Sequence, residues 1–167
     1  MGGGVARQKV WRTEGAEMSC THPSPNHNAR GSNEVEVIVL HADASPTERG
    51  CLSWIQSSVS KVSYHVVIGR DGTVYTCVPY DRRAWHAGKS EWNGKKDVNG
   101  VSIGLSFSNR NDGKEALTEK QKVAMQEVIK NVRAKYGNIP VTTHAKVAPG
   151  RKNDPEMVPG FRLEDYA

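Results

Sequence analysis

Two histidines and an aspartate stand out by their type and their placement. His41 closes the apolar run "EVEVIVLHAD", His144 closes "IPVTTH", and Asp154 follows in "APGRKNDP". Neutral imidazoles and a carboxylate are the donors that hold catalytic zinc, which takes three protein ligands and leaves a fourth position for water. Hydrolysis is the chemistry such a centre supports. The spacing is not a metal signature, because no HExxH or CxxC sets two donors on one element. Each residue also has an ordinary reading. A histidine at a strand end makes common hydrogen bonds, Asp154 before Pro155 is a turn former, and Lys152 is a solvated loop lysine.

These groups converge only if the elements carrying them do. In "EVEVIVLHAD" Val35, Val37 and Val39 alternate with Ile38 and Leu40, the pattern of a strand buried on both faces. "SPTERGCLSWIQSS" predicts a short helix with Ser45 as N-cap, Pro46 at the first helical position, and Leu52, Ile55 and Val59 on one face. "VSYHVVIGRDGTVYTCVP" reads as a hairpin turning at Asp71 and Gly72, and "VSIGLSFS" as a further strand. Thr118 and Gln121 form a capping box. A long helix follows, with Val123 or Met125, Val128, Ile129, Val132 and Tyr136 on its apolar face and Gly137 as its stop. "IPVTTH" is a last short strand. The expected fold class is α/β, a single domain with a central mixed β-sheet flanked by helices. Strand ends in such sheets are where sites form, so His41 and His144 would share one edge, with Asp154 in reach.

The chain has 167 residues, which suits one folded domain. Residues 1–22 are expected to be a flexible arm and residues 23–167 the domain. The arm has no apolar core of the signal-peptide kind, which predicts a cytoplasmic chain. No run is apolar enough for a membrane span. Three cysteines without a CxxC pair predict free thiols. Cys20, His22 and His27 are also metal-donor types, but they lie in or beside the arm and zinc is not placed there. A net charge of +5 favours an anionic partner. The positive residues are scattered, so nucleic acid is not the expected one.

Five stretches, "PSPNHNARG", "VIVLHADAS", "SYHVVIGRDGTVYTCVPYDRRAWHAG", "NGVSIGLSFS" and "THAKVAPGRKNDP", occur in the order found in zinc-dependent N-acetylmuramoyl-L-alanine amidases of type 2. The chain resembles that superfamily, which takes in AmpD-like amidases, phage amidase lysozymes and peptidoglycan recognition proteins. The resemblance implies a peptidoglycan recognition protein-like fold and cleavage of the amide between the lactyl group of N-acetylmuramic acid and L-alanine. It implies Zn2+ held by His41, His144 and Asp154, with Lys152 as the catalytic lysine donating to the developing oxyanion. Tyr64 falls where phage enzymes place a catalytic tyrosine. His86 is similar to a histidine that lines the substrate groove, while Arg82 and Arg83 are candidate contacts for stem-peptide carboxylates, with solvated surface arginines as their ordinary reading.

Ser106 stands where many AmpD-like enzymes have a glutamate, and a serine cannot take a proton near neutral pH. That task then falls to the water the metal activates, helped by Tyr64. The combination resembles phage enzymes, so the leading expectation is a monomeric lytic amidase that reaches the wall after release by holin or another route. The alternatives are a cytoplasmic muropeptide-recycling amidase and a non-catalytic peptidoglycan-binding module.

Overall fold

A computed structural model of the chain describes residues 19–167. Most of the expected arm therefore lies outside the described residues. Its last part does not stand free: the His22 N–H donates to the Thr76 carbonyl at 2.9 Å, and the Thr21 N–H to Thr76 Oγ1 at 2.8 Å.

The strands are β1 (His27–Ala29), β2 (Val37–Ala42), β3 (Val66–Ile68), β4 (Val74–Thr76), β5 (Arg82–Ala84), β6 (Ser102–Phe107) and β7 (Val141–Thr143). Five of them form a mixed sheet in the order β4-β3-β6-β2-β7, and β1 pairs with β5 apart from it. β2 is an interior strand parallel to both β6 and β7, and its register sets His41 opposite Ser106. All six β2 residues are buried, as a strand covered on both faces requires. The hairpin is tighter than its alternating pattern predicts, with three residues in each of β3 and β4, so Tyr64 lies just ahead of β3.

The helices are α1 (Glu48–Gln56), α2 (Glu119–Tyr136) and the single turn α3 (His144–Val147). α2 has the expected capping box, and Gly137 closes it with φ +84°. Gln121 also ties the helix to the sheet: its Nε2 donates to the carbonyls of Ile68 at 3.2 Å and Ser108 at 2.8 Å. Met125 faces the core and Val123 is 55% exposed, which resolves that choice. α1 starts later than predicted. Thr47, not Ser45, caps it, because its hydroxyl accepts the otherwise orphaned Gly50 N–H. Ser45 instead joins a turn through Asp43 Oδ1. The helix ends at Gln56, which leaves Val59 outside it and 80% exposed.

β6 shows how the sheet divides its labour. Ile103, Leu105 and Phe107 point into the main core, where they pack with Met125, Val128 and Val132 of α2. Ser102, Gly104 and Ser106 take the other face by strand alternation. That face carries two smaller apolar clusters. One joins Val67 and Tyr64 to Leu52 and Ile55 of α1, and the other joins Val37 and Val39 to Ala87, Val98 and Val147. The small β6 residues leave space on this face for polar groups. Cys20, Cys51 and Cys77 are free thiols, as expected. Among the described residues no helix is long and apolar enough to cross a membrane.

Candidate metal centre

His41, His144 and Asp154 meet at the carboxyl ends of β2 and β7. β2 delivers His41 fully buried. His144 follows β7 directly as the first residue of α3, a turn capped by Thr143 Oγ1, which accepts the Lys146 N–H at 3.1 Å. The chain then folds back on itself. The Lys152 N–H donates to the Ala148 carbonyl at 3.0 Å and the Ala145 N–H to the Asp154 carbonyl at 3.0 Å, which sets Asp154 beside His144.

The donor atoms form a compact triangle. His41 Nδ1 lies 3.1 Å from His144 Nδ1. Asp154 Oδ2 lies 3.3 Å from His144 Nδ1 and 3.5 Å from His41 Nδ1. Ligands about 2.0–2.1 Å from a tetrahedral zinc ion stand about 3.3–3.4 Å from one another, so the three atoms outline one face of such a tetrahedron. The second nitrogens of both rings are already engaged, and the carboxylate is held as well. His144 Nε2 faces the Ala87 carbonyl at 3.1 Å, His41 Nε2 faces His86 Nδ1 at 2.8 Å, and Asp154 Oδ2 also accepts the Ala42 N–H at 3.1 Å. Outer partners of this kind are what orient metal ligands. The donor set fits a zinc ion.

The electrostatics keep His41 and Asp154 in their metal-binding states. Burial, and then neighbouring His144, pushes His41 down to about 4, against the pull of Asp154. Burial would raise the Asp154 carboxyl, but hydrogen bonds and charge from His144 and His41 outweigh it and hold the group well below the usual carboxylate range. Neutral imidazole and ionised carboxylate are the forms that bind metal.

A cavity of about 450 Å³ opens beside the triangle, and Tyr64, Arg83, Trp85, His144 and Lys152 are among its lining residues. The Tyr64 ring centroid is 5.0 Å from that of His41. Burial, then the nearby Cys51, Asp43 and Asp154, raises the Tyr64 phenol well above its ordinary value. Lys152 is exposed at the cavity. Arg83 is at the cavity too, but its guanidinium is paired with Asp97, Nη2 to Oδ1 at 2.8 Å and Nε to Oδ2 at 3.2 Å. His86 differs most from its expected place. It borders the cavity, yet it is buried and both ring nitrogens are taken, Nδ1 by His41 and Nε2 by Ser102 Oγ at 2.9 Å. His65 is internal as well, its Nδ1 accepting the Gly104 N–H at 3.0 Å.

Sequence reasoning missed Ser102, Asn99 and Arg151, which surround His86 and Ala87. The alternation of small and large residues in "SIGLSF" was a usable signal for Ser102. No signal exists for a backbone carbonyl such as that of Ala87.

Comparison with known proteins accords with this geometry. The N-acetylmuramoyl-L-alanine amidase family matches residues 31–157. The curated 1,6-anhydro-N-acetylmuramyl-L-alanine amidase AmpD of Salmonella typhimurium (strain SL1344) is 30% identical over 169 residues, covering 88% of this chain and 86% of that protein. AmpD of Escherichia coli (strain K12) is 30% identical, with 80% of this chain and 82% of that protein covered. Among solved structures, a selenomethionine AmpD derivative superimposes with a TM-score of 0.70 at 28% identity, over 86% of this chain and 89% of that one. AmiD from E. coli, solved with anhydro-N-acetylmuramic acid-L-Ala-D-gamma-Glu-L-Lys, gives a TM-score of 0.67 at 26% identity, over 89% and 61%.

These relatives do not support the lytic, phage-type expectation drawn from Tyr64 and Ser106 and fit its recycling alternative better. The endolysin of Clostridium intestinale is only 20% identical and shares the fold alone, whereas the curated matches over most of both chains are anhydro-muramyl amidases. Zinc is the cofactor of the family, and the described residues offer His41, His144 and Asp154 as a group that could hold it. The expected fold and the expected reaction class agree with the family match and with the metal-sized triangle, and this chain belongs to the N-acetylmuramoyl-L-alanine amidase family.

Proposed function

We propose that the chain is a cytoplasmic, monomeric amidase of muropeptide recycling, which cleaves the bond between the lactyl group and L-alanine in soluble 1,6-anhydro-muropeptides. The observation that carries this reading is the donor triangle of His41, His144 and Asp154 opening onto a cavity of about 450 Å³. A cavity of that size suits a small soluble molecule. The anhydro-muramyl peptide bound by the AmiD relative supports the substrate class.

His41 and His144 through Nδ1 and Asp154 through its carboxylate would hold the zinc. When bound, the ion lowers the pKa of a water from about 15.7 to about 7 and polarises the scissile carbonyl. The other steps belong to side chains. Lys152, exposed at the cavity beside the triangle, donates to the oxygen that gains negative charge. Tyr64 stays a neutral phenol at working pH, held so by burial, and its hydroxyl orients the attacking water. Ser106 supplies no base, its hydroxyl donating instead to the Phe107 carbonyl at 3.1 Å. Arg83, fixed by Asp97, offers its remaining donor capacity to a stem-peptide carboxylate at the cavity rim.

The test compares a purified 1,6-anhydro-muramyl tripeptide with intact sacculi, following release of new alanine amino termini. Rapid turnover of the soluble substrate and slow release from sacculi is the expected result. Comparable rates on both would overturn the recycling assignment and leave amidase activity standing.

A further inference from the structure

One short segment touches both ligand imidazoles on the side away from the metal position. His86 Nδ1 lies 2.8 Å from His41 Nε2, and the carbonyl of the next residue, Ala87, lies 3.1 Å from His144 Nε2.

The segment is itself held from three directions. Asn99 Oδ1 accepts the backbone N–H groups of His86 at 3.1 Å and Ala87 at 2.8 Å. Arg151 Nη2 donates to the carbonyls of Ala87 at 2.6 Å and Lys89 at 2.8 Å, which fastens the segment to the loop that carries Asp154. The third restraint is β6. The His86 ring lies across Gly104 so closely that a Cβ there would sit 2.4 Å from His86 Cγ, and Ser102 Oγ is 2.9 Å from His86 Nε2.

Hydrogen-bond logic then assigns the protons. A carbonyl can only accept, so His144 carries hydrogen on Nε2 and offers the Nδ1 lone pair to the triangle. His41 offers Nδ1 to the same point, so its Nε2–H donates to His86 Nδ1. His86 in turn carries its hydrogen on Nε2 and gives it to Ser102 Oγ. With both ligand Nδ1 lone pairs directed at the metal position, each ring has a single tautomer that satisfies its neighbours.

We propose that His86 and Ala87 are the positioning element of the metal centre: His86, backed by Ser102, sets the tautomer and ring plane of His41, and the Ala87 carbonyl does the same for His144. His86 is then a positioning residue and not a substrate contact. The proposal rests on the reading of His41, His144 and Asp154 as zinc ligands.

The experiment measures zinc affinity by competition with a chromophoric chelator for the wild-type chain and for His86→Leu, His86→Asn and Ser102→Ala. His86→Leu is expected to bind zinc about 10–100-fold more weakly, the usual cost of removing an outer-shell partner. In His86→Asn the amide oxygen stands near the place of Nδ1 and still accepts from His41, so most of the affinity returns. Ser102→Ala falls between wild type and His86→Leu. A folded His86→Leu with wild-type affinity, or equal losses in the Leu and Asn variants, overturns the proposal. Should the variants not fold, imidazole nitrogen NMR of the wild-type zinc protein decides: an Nε2–H tautomer at His86 upholds it and an Nδ1–H tautomer refutes it. A wild-type chain that takes up no zinc sinks the ligand reading as well, which separates the two failures.

Discussion

The Nδ1 atoms of His41 and His144 lie 3.1 Å apart although 103 positions separate the two residues in the chain. Together with the Asp154 carboxylate they converge on one point, where a cation would find three donors. The fold has brought them together at the ends of β2 and β7, each with its second nitrogen already hydrogen-bonded.

The first consequence concerns metal content. The wild-type chain should hold about one zinc per chain, and His144→Ala or Asp154→Ala about none, because two donors do not complete a catalytic site. Since the ion binds the folded state, a free concentration of about 100 times Kd adds about 2.7 kcal/mol of stability. For a domain of this size that is a rise in Tm of about 5–10 °C, lost on chelation. Elemental analysis and thermal unfolding with and without chelator check both. Full zinc in Asp154→Ala would remove Asp154 from the ligand set.

Lys152 is expected to act on kcat alone. Lys152→Ala should lower kcat by about 10²–10³-fold, the usual loss of one oxyanion donor, while zinc content and Tm stay at wild-type values because the side chain is exposed. Steady-state kinetics on a soluble anhydro-muropeptide give the answer. A loss confined to KM would instead make Lys152 a substrate anchor.

Of Tyr64 and Ser106, only the phenol is expected to carry the proton chemistry. Tyr64→Phe should reduce kcat by about 10²-fold or more without loss of zinc, within the range found for proton-transfer groups. Ser106→Ala, which keeps the phenol, should cost less than about 10-fold, as loss of one hydrogen bond of about 1 kcal/mol implies. If the two variants reverse that order, the serine and not the tyrosine handles the water.

The buried histidines set the acid limit of stability. Burial, then the charge of Arg30, pushes His65 down to about 3, and burial with His144 pushes His41 down to about 4. An unfolded histidine takes up a proton near pH 6.5, so between about pH 6.5 and those lower values only the unfolded chain is protonated at these positions. Stability is therefore complete above about pH 6.5 and falls as the pH drops toward 4 and then 3. The slope reaches about 1.4 kcal/mol per pH unit for each histidine. Urea unfolding of the metal-free protein at about pH 7.5, 6 and 5 should show the midpoint falling at each step. A level or rising midpoint would contradict the burial of neutral imidazoles.

Much of the scaffold could be read from residue order, because its causes are local. The alternation in "EVIVLHA", the Thr118 and Gln121 capping box and the Gly137 stop each act within a few residues, and each is found where the pattern placed it. The ordered blocks around His41, His144 and Asp154 point to the same three donor types that the fold gathers into one group. Local pattern failed at α1, where Ser45 and Thr47 are equally good caps by composition, and a contact with Asp43 removes Ser45 from the choice.

The arrangement around the donors had no such legibility. That Arg83 is paired with Asp97, and that His86 turns its nitrogens to His41 and Ser102 instead of the cavity, depends on which face of β6 is small and how the 85–99 stretch closes over it. The acceptor for His144 is a main-chain carbonyl, a group every residue possesses. Side-chain types and their spacing name the atoms that can bind a metal. Which nitrogen of each ring is free to do so is decided by neighbours far away in the chain, and those are fixed by strand register and packing.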